Sequence, residues 1–326
     1  MSRHPDEHGG PERVERLLHN METYIARVPG FRRAHARGIG VRGHFTATPE
    51  AAALTSAEHM QGDRIEVVGR LSNSAGNPYN VDRGSAKTGI VMGMAVRFAL
   101  PSGGNAEWAA LSLIDFPARV PEDFIKLASA QRRGLPTGLP NPARIVTFLA
   151  THPHCLRGFR DIVAAPAPRS FATAAYRGLH AYYLVDAEGN RRAFRYHWEP
   201  AAPHDPITPE EHRELPPFHL LSEIRGRLAR EPAEWTLVFE LAEPGDPVDD
   251  LTKHWPKDRR RVRAGTLVLD RIHEDQQAVD DSMFDPTLVP PGIELSDDPV
   301  LHFRSEAYVE SQRRRNGETK PSIVLE

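Results

Sequence analysis

The sequence predicts an α+β fold: an eight-stranded antiparallel β-barrel that carries inserted and C-terminal helices. Eight short stretches have the composition and alternation of strands, and they fall into two groups of four along the chain. Several neighbouring stretches are joined by connections too short for a parallel crossover, which favours antiparallel pairing. Helical patterns occupy the interval between the groups and the C-terminal end, and 326 residues are enough for one such barrel domain.

The N-terminal segment predicts a helix that precedes the barrel. Residues 1–10 are polar, whereas Val14, Leu17 and Leu18 begin an apolar spacing of three and four that runs over residues 11–28. Pro11 suits a first helical position, and Pro29 followed by Gly30 predicts the end of the helix. We therefore divide the chain into an N-terminal helix, residues 1–30, and a single barrel domain with helical insertions, residues 31–326.

Turn residues bound each predicted strand. The first group covers residues 39–48, 65–72, 91–100 and 107–114, and the second covers residues 179–185, 191–197, 234–241 and 265–272. Turn-forming residues 101–105 join the third and fourth strands, and residues 186–190 join the fifth and sixth, which predicts two hairpins.

Prolines and capping residues indicate where the inserted helices begin. Residues 121–133 and 142–151 each start at proline and carry apolar residues at helical spacing. Thr208 and Glu211 have the spacing of a capping box, which predicts a further helix start.

Composition and charge argue against several classes of function. A net charge of −3 offers no basic excess for nucleic acid, and no apolar run approaches the roughly 20 residues of a membrane span. The N-terminus lacks an apolar signal region, and Cys155 is the one cysteine in the chain, so we expect a cytoplasmic protein in a reducing compartment.

The run His152-Pro-His154-Cys155 brings three metal-binding residue types together. Tetrahedral metal sites need further ligands, and the sequence shows no second cluster at ligand spacing. A surface turn at the end of a helix is therefore the favoured interpretation of this run.

Near the C-terminus, Arg304 and Tyr308 are four residues apart within a predicted helix. Residues at that spacing share one helix face, and a guanidinium beside a phenol favours the phenolate. Such an oxygen could ligate ferric haem iron, as a tyrosine does in catalase.

Together with its surroundings, this pair resembles the catalase superfamily, and specifically its short catalase-related peroxidase branch. The matching C-terminal segments are Phe284-Asp-Pro-Thr, Pro290-Pro-Gly, Arg304-x-x-x-Tyr308 and Arg315. The matching upstream segments are Arg32-Arg-Ala-His35, Gly43-His-Phe45, Val68-Gly-Arg70-Leu-Ser72, Trp255-Pro256 and residues 265–271. The resemblance extends from about Arg32 to Arg315, which is nearly the whole chain, and it implies the catalase-type barrel.

The resemblance also implies a role for each matching residue. His35 would be the distal acid/base, assisted by Ser72, and Tyr308 would be the proximal iron ligand, held ionised by Arg304. Asp298 and His180 match positions that contact that arginine. Arg32, Arg70 and Arg315 match contacts to the haem propionates, and arginine pairs well with carboxylates.

The implied function is a haem-dependent peroxidase that uses hydrogen peroxide or organic hydroperoxides to oxidise small organic donors, with ferric haem b as cofactor. Residues 107–115 lack the distal asparagine that classical catalases carry after a tryptophan. The chain also begins shortly before His35 and ends shortly after Arg315, so we expect a more open pocket. The resemblance further implies a homo-oligomer such as a dimer. The alternatives are a small true catalase, a hydroperoxide-rearranging enzyme related to allene oxide synthases, or a non-catalytic haem sensor or carrier.

Overall fold

The computed structural model describes residues 11–321 except 25–27, 83–89, 132–140, 166, 204 and 206. The strands are β1 (Gly38–Ala47), β2 (Arg64–Asn73), β3 (Met92–Ala99), β4 (Asn105–Leu111), β5 (Tyr176–Val185), β6 (Arg191–Pro200), β7 (Ala233–Leu241), β8 (Arg261–Ile272) and β9 (Ile293–Leu295). The helices are α1 (Pro11–Tyr24), α2 (Pro49–Ala52), α3 (Pro121–Ala130), α4 (Pro142–Thr151), α5 (Leu156–Ala164), α6 (Pro209–Glu214), α7 (His219–Leu228), α8 (Gln276–Asp281) and α9 (Pro299–Asn316).

Eight of these strands form a closed antiparallel barrel. Two four-stranded meanders, β1 to β4 and β5 to β8, are joined by pairing of β1 with β8 and of β4 with β5. The second junction is short and consists of Leu111 opposite Arg177. The predicted eight-stranded barrel is confirmed, and closure leaves few unpaired strand edges.

The ninth strand was not predicted from the sequence. Residues of β9 pair with Tyr182, Tyr183 and Leu184 at the far end of β5. Three residues are too few for an alternating pattern to emerge, so this strand is recognisable only from its partner.

Aromatic side chains fill the barrel interior. Trp108 stacks on Tyr196 with ring centroids 4.4 Å apart, and Phe98, Trp198 and Phe239 also surround Trp108. The Tyr196 hydroxyl donates to the Ala109 carbonyl at 2.9 Å, which satisfies its polar end inside the core. The alternating strand residues thus supply one contiguous core.

The helices lie where the sequence predicts interruptions of the strand pattern. The α4 boundaries match the prediction, α3 ends at Ala130, three residues before the predicted end, and Thr208 and Glu211 form the predicted capping box of α6. Helix α1 is described to Tyr24, and residues 25–27 of the helix predicted to residue 28 lie outside the described part of the chain. The division of the chain at residue 30 stays a prediction. In the part of the chain that is described, no helix combines the length and apolar character that crossing a bilayer requires.

Candidate functional site

Arg304 and Tyr308 lie side by side on α9, as their spacing predicts. The Arg304 guanidinium donates two hydrogen bonds to the Tyr308 hydroxyl oxygen, from Nε at 3.0 Å and from a terminal nitrogen at 2.6 Å. Burial tends to lower the pKa of Arg304, but the interactions with Tyr308, Tyr182 and Tyr196 together outweigh burial and raise it. This arrangement stabilises negative charge on the Tyr308 oxygen.

A chain of hydrogen bonds continues from Arg304 into the barrel wall. Its other terminal nitrogen donates to His180 Nε2 at 2.9 Å, and His180 Nδ1 contacts the Asp298 carboxylate at 2.8 Å. Arginine has no acceptor atom, so His180 Nε2 must accept and Nδ1 must carry the proton that it donates to Asp298. Burial lowers the pKa of His180, which is consistent with this neutral tautomer.

Asp298 serves two structures at once. One carboxylate oxygen accepts from His180, and the other accepts from the backbone N–H groups of Val300 and Leu301, which caps the N-terminus of α9. The same side chain therefore starts the helix that carries Tyr308 and ends the relay that reaches it.

His180 lies in a bulge of β5. Gly178 pairs with Tyr196 and Tyr182 pairs with Phe194, so β5 places three residues between these pairs where β6 places one. Bulges of this kind re-aim side chains, and His180 is buried here.

His35 lies in the loop before β1 and is held against Ser72 of β2. Its Nδ1 is 2.9 Å from the Ser72 hydroxyl. Its backbone has a φ of +55°, the one positive φ among the described non-glycine residues. Backbone strain of this kind costs about 1–3 kcal/mol and is concentrated at functional sites.

Gly93 makes room for the His35 ring, a contribution that the sequence analysis missed. A Cβ on this β3 residue would lie 2.6 Å from His35 Cε1 and 3.2 Å from the Ser72 hydroxyl. Glycine is needed here because of a neighbour distant in the chain, so no local pattern reveals it.

The surroundings of His35 keep its imidazole neutral. Burial is the largest cause, and the cations Arg70, Arg304 and Arg32 add to it, lowering the pKa of His35 to about 3. A neutral imidazole can accept a proton, which is what a general base at neutral pH requires.

Arg32, Arg70 and Arg315 converge around α8. Arg70 forms an ion pair with Asp280 at 3.2 Å and donates a hydrogen bond to the His35 carbonyl. Arg32 and Arg315 donate hydrogen bonds to backbone carbonyls at the end of α8. Asp280 was not predicted as part of this cluster. Gly38 provides space for Arg70, since a Cβ there would lie 2.6 Å from the Arg70 Cζ.

The three arginines carry more positive charge than their neighbours neutralise. Burial, Arg70 and Arg315 together lower the pKa of Arg32 to about 9. Burial likewise lowers the pKa of Arg315, and the Nε atoms of Arg32 and Arg315 are buried without a hydrogen-bond partner. Orphaned guanidinium donors beside each other suit an anionic ligand that bears carboxylates.

The structure thus brings the predicted residues into one region in three groups: His35 with Ser72, the three arginines, and Tyr308 with its relay. These groups are electrostatically coupled, since Arg304 acts on His35 and Tyr308 acts on Arg32.

A profile of the family described as Catalase matches residues 17–324. The chain belongs to the catalase family.

Curated relatives agree with this membership. The chain is 36% identical over 291 residues to a catalase-related peroxidase of Mycolicibacterium paratuberculosis, covering 89% of this chain and 90% of the relative. A catalase-related peroxidase of Synechococcus elongatus is 31% identical over 287 residues, covering 88% and 84%. A longer relative, catalase isozyme 3 of Zea mays, is 31% identical, and the match covers 63% of that protein.

Solved structures show the same fold at lower identity. A fungal catalase superposes with a TM-score of 0.77 at 23% identity, covering 97% of this catalase-family chain and 65% of the other. Catalase A of Saccharomyces cerevisiae gives a TM-score of 0.75 at 22% identity, covering 97% and 67%. This chain therefore spans about two thirds of the length of those catalases.

Proposed function

We propose that the protein is a haem-dependent peroxidase that reduces hydrogen peroxide or organic hydroperoxides with electrons from small organic donors. The observation that carries the proposal is the relay from Asp298 through His180 and Arg304 to the Tyr308 oxygen. A hydrogen-bonded phenol oxygen backed by a buried cation is a donor suited to ferric iron. The names of the two catalase-related peroxidases support the same assignment.

The arginine cluster fits the propionate groups of a haem. Arg32 and Arg315 have buried Nε atoms that lack a hydrogen-bond partner. Asp280 pairs with Arg70, and its negative charge also acts on Arg32. Two added carboxylates would neutralise the excess positive charge and occupy the orphaned donors. Tyr308 would ligate the iron, and the site residues are compatible with haem b.

In the proposed reaction, bound haem supplies the iron centre that exchanges electrons with peroxide. Neutral His35 takes the proton of the peroxide at Nε2 and returns it to the departing oxygen, so that water or an alcohol leaves. Ser72 holds Nδ1 and thereby orients the ring. The overall balance is one peroxide and two donors, each giving up one electron and one proton, converted to an alcohol or water, a second water and two oxidised donors.

One feature favours an organic reductant over a second hydrogen peroxide. Residues 107–115 contain no asparagine, so this segment offers no amide side chain to position a second hydrogen peroxide. Within this proposal the protein acts in the cytoplasm in the response to oxidative stress, as a homo-oligomer such as a dimer.

The test compares donor oxidation with oxygen evolution in hemin-loaded protein. We expect rapid oxidation of an aromatic donor with peroxide and little oxygen release, and we expect His35→Ala to abolish turnover while haem stays bound. Strong oxygen evolution without donor oxidation would identify a catalase. Loss of a fatty-acid hydroperoxide without reductant would identify a rearranging enzyme, and bound haem without any turnover would identify a carrier.

The ligand assignment has a separate test in Tyr308→Phe. Removing the phenol oxygen should change the visible spectrum of the ferric haem or weaken haem binding. An unchanged spectrum at unchanged affinity would contradict Tyr308 as the ligand.

A further inference from the structure

A second group of metal-binding side chains lies away from the residues described above, in the helical insertion between β4 and β5. Asp123 is in the first turn of α3, whereas His154 and Cys155 form part of the short 3₁₀ turn that joins α4 to α5. Within the described residues, one ligand atom from each of these three side chains lies within 4.8 Å of the other two. Folding therefore supplies Asp123, the ligand that the sequence run around His154 lacks.

The carboxylate of Asp123 is already held in place. Its Oδ2 accepts from the backbone N–H groups of Arg119 and Val120 at 3.1 and 3.3 Å, and it contacts His154 Nε2 at 2.9 Å. Outer hydrogen bonds of this type orient ligands in metal sites.

His152 approaches the same carboxylate from the other side. Its Nε2 is 3.9 Å from Asp123 Oδ1, while its Nδ1 is 2.9 Å from the Thr151 hydroxyl and 3.1 Å from the Phe148 carbonyl. A carbonyl can only accept and the Lys126 ammonium at Nε2 can only donate, so Nδ1 carries the proton and Nε2 keeps a lone pair. Metal-binding histidines typically donate their second nitrogen to a carbonyl in this way.

A cation lies at the edge of this group. The exposed side chain of Lys126 donates to His152 Nε2 at 3.2 Å and is the cation now closest to that nitrogen among the described contacts. Its flexible chain can turn to solvent and leave the position to a metal ion.

We propose that Asp123, His154 and Cys155 bind a zinc ion, with His152 as the fourth ligand. Imidazole, thiolate and carboxylate are the donors that zinc prefers, and they bind at about 2.0–2.3 Å, which places tetrahedral ligands about 3.3–3.8 Å apart. The 2.9 Å between His154 Nε2 and Asp123 Oδ2 and the 4.8 Å limit within the group of three bracket that range. His152 lies outside that group, with its Nε2 3.9 Å from Asp123 Oδ1. Cys155 coordinates as the thiolate, and its proton passes to solvent on binding.

Zinc at this position ties α3 to the turn between α4 and α5. Ligands from segments distant in the chain are joined only in the native state, so zinc stabilises the folded protein. The site shares no residue with the His35 and Tyr308 region and is independent of the proposed peroxidase function.

The experiment measures zinc in hemin-loaded protein that carries no histidine tag. The protein is stripped with chelator and dialysed against micromolar zinc, and zinc and iron are then counted by elemental analysis. We expect one zinc per chain in the parent protein and at least about tenfold weaker binding in His154→Ala and Cys155→Ala. His254→Ala is the matched control, because His254 faces a carboxylate, Asp115, at 3.2 Å and both residues lie outside the group of Asp123, His154 and Cys155.

Two further measurements keep the proposal falsifiable if Cys155→Ala folds poorly. Lys126→Ala removes the competing cation and should tighten zinc binding, and zinc should raise the unfolding temperature of the parent protein but not of His154→Ala. A zinc content well below one per chain would overturn the proposal. Equal binding by the parent and His154→Ala would also overturn it.

Discussion

His180 of β5 accepts a hydrogen bond at 2.9 Å from the guanidinium of Arg304 on α9, across 124 positions of the chain. This contact ties the barrel wall to the helix that carries Tyr308. Its strength depends on Asp298, which fixes the His180 tautomer at the far end of the relay.

Replacement of Asp298 separates its electronic role from its capping role. Asp298→Asn keeps a side-chain oxygen for the cap of α9 but removes the negative charge behind His180, so helix stability should change by only a few tenths of a kcal/mol. The ferric haem spectrum and the reduction potential should shift. Asp298→Ala should shift them too and should also cost about 1 kcal/mol of unfolding free energy. Identical spectra for the parent protein and Asp298→Asn would show that the relay does not influence Tyr308.

Gly93→Ala tests the space around His35. The new Cβ would lie 2.6 Å from the imidazole, so the ring must move away from Ser72. A correctly positioned acid/base group accelerates a reaction by about 10²–10⁴-fold, and a misplaced group loses much of that acceleration. We therefore expect donor oxidation to be at least about tenfold slower in Gly93→Ala, with haem still bound.

The matched control for Gly93→Ala is Gly226→Ala on α7. A Cβ there meets only the flexible end of Arg230, at 3.5 Å, and a helix interior favours alanine over glycine. Activity should be unchanged and the unfolding free energy should rise by about 0.5–1 kcal/mol. Equal activity of the two variants would contradict the steric role of Gly93.

Arg315→Met should weaken haem binding. Loss of one charge-assisted bond to a propionate, worth about 1.5–3 kcal/mol, corresponds to roughly tenfold or more in affinity. The haem-free protein should not be destabilised, because the substitution removes a buried cation beside Arg70 and Arg32. Hemin titration followed by absorbance measures the change.

Arg313→Met on the same helix is the control, since Arg313 is exposed and pairs with Glu310 at 2.6 Å. It should bind hemin like the parent protein. If Arg313→Met and Arg315→Met bind hemin equally well, the propionate assignment is wrong.

His59 should make the folded protein sensitive to acid. It is fully buried between Phe98 and Trp108, and neither ring nitrogen has a hydrogen-bond partner. Burial lowers its pKa from the ordinary 6.5 to about 4. Between these two values the unfolded chain binds more protons than the folded one. Stability is therefore fully present above pH 6.5 and falls as the pH drops toward 4.

Urea unfolding of the parent protein and His59→Leu at pH 7.5 and pH 5 measures this contribution. The parent should lose more unfolding free energy on acidification than the variant, by roughly 1–3 kcal/mol. Other titrating groups act equally in both proteins and cancel in the comparison. The same loss in both would exclude His59 as a source of acid sensitivity.

The sequence by itself determined the parts of this protein that depend on short-range periodicity. Spacings within a few residues predict the eight barrel strands, the starts of α3 and α4 at proline, and the pairing of Arg304 with Tyr308. They can do so because backbone geometry repeats every two residues in a strand and every 3.6 in a helix. The resemblance to a family then supplied His35, Ser72 and the arginines, which no local pattern would have selected.

Only the tertiary structure decided which distant side chains meet. The contact of His180 with Arg304 joins β5 to α9, the clearance around His35 depends on Gly93, and the meeting of Asp123 with His154 depends on how α3 packs against α4. Strand pairing and helix packing bring together residues that are far apart in the chain, and their alignment depends on the fold as a whole. A contact between such residues leaves no periodic signal in either segment, so it becomes visible only after the chain has folded.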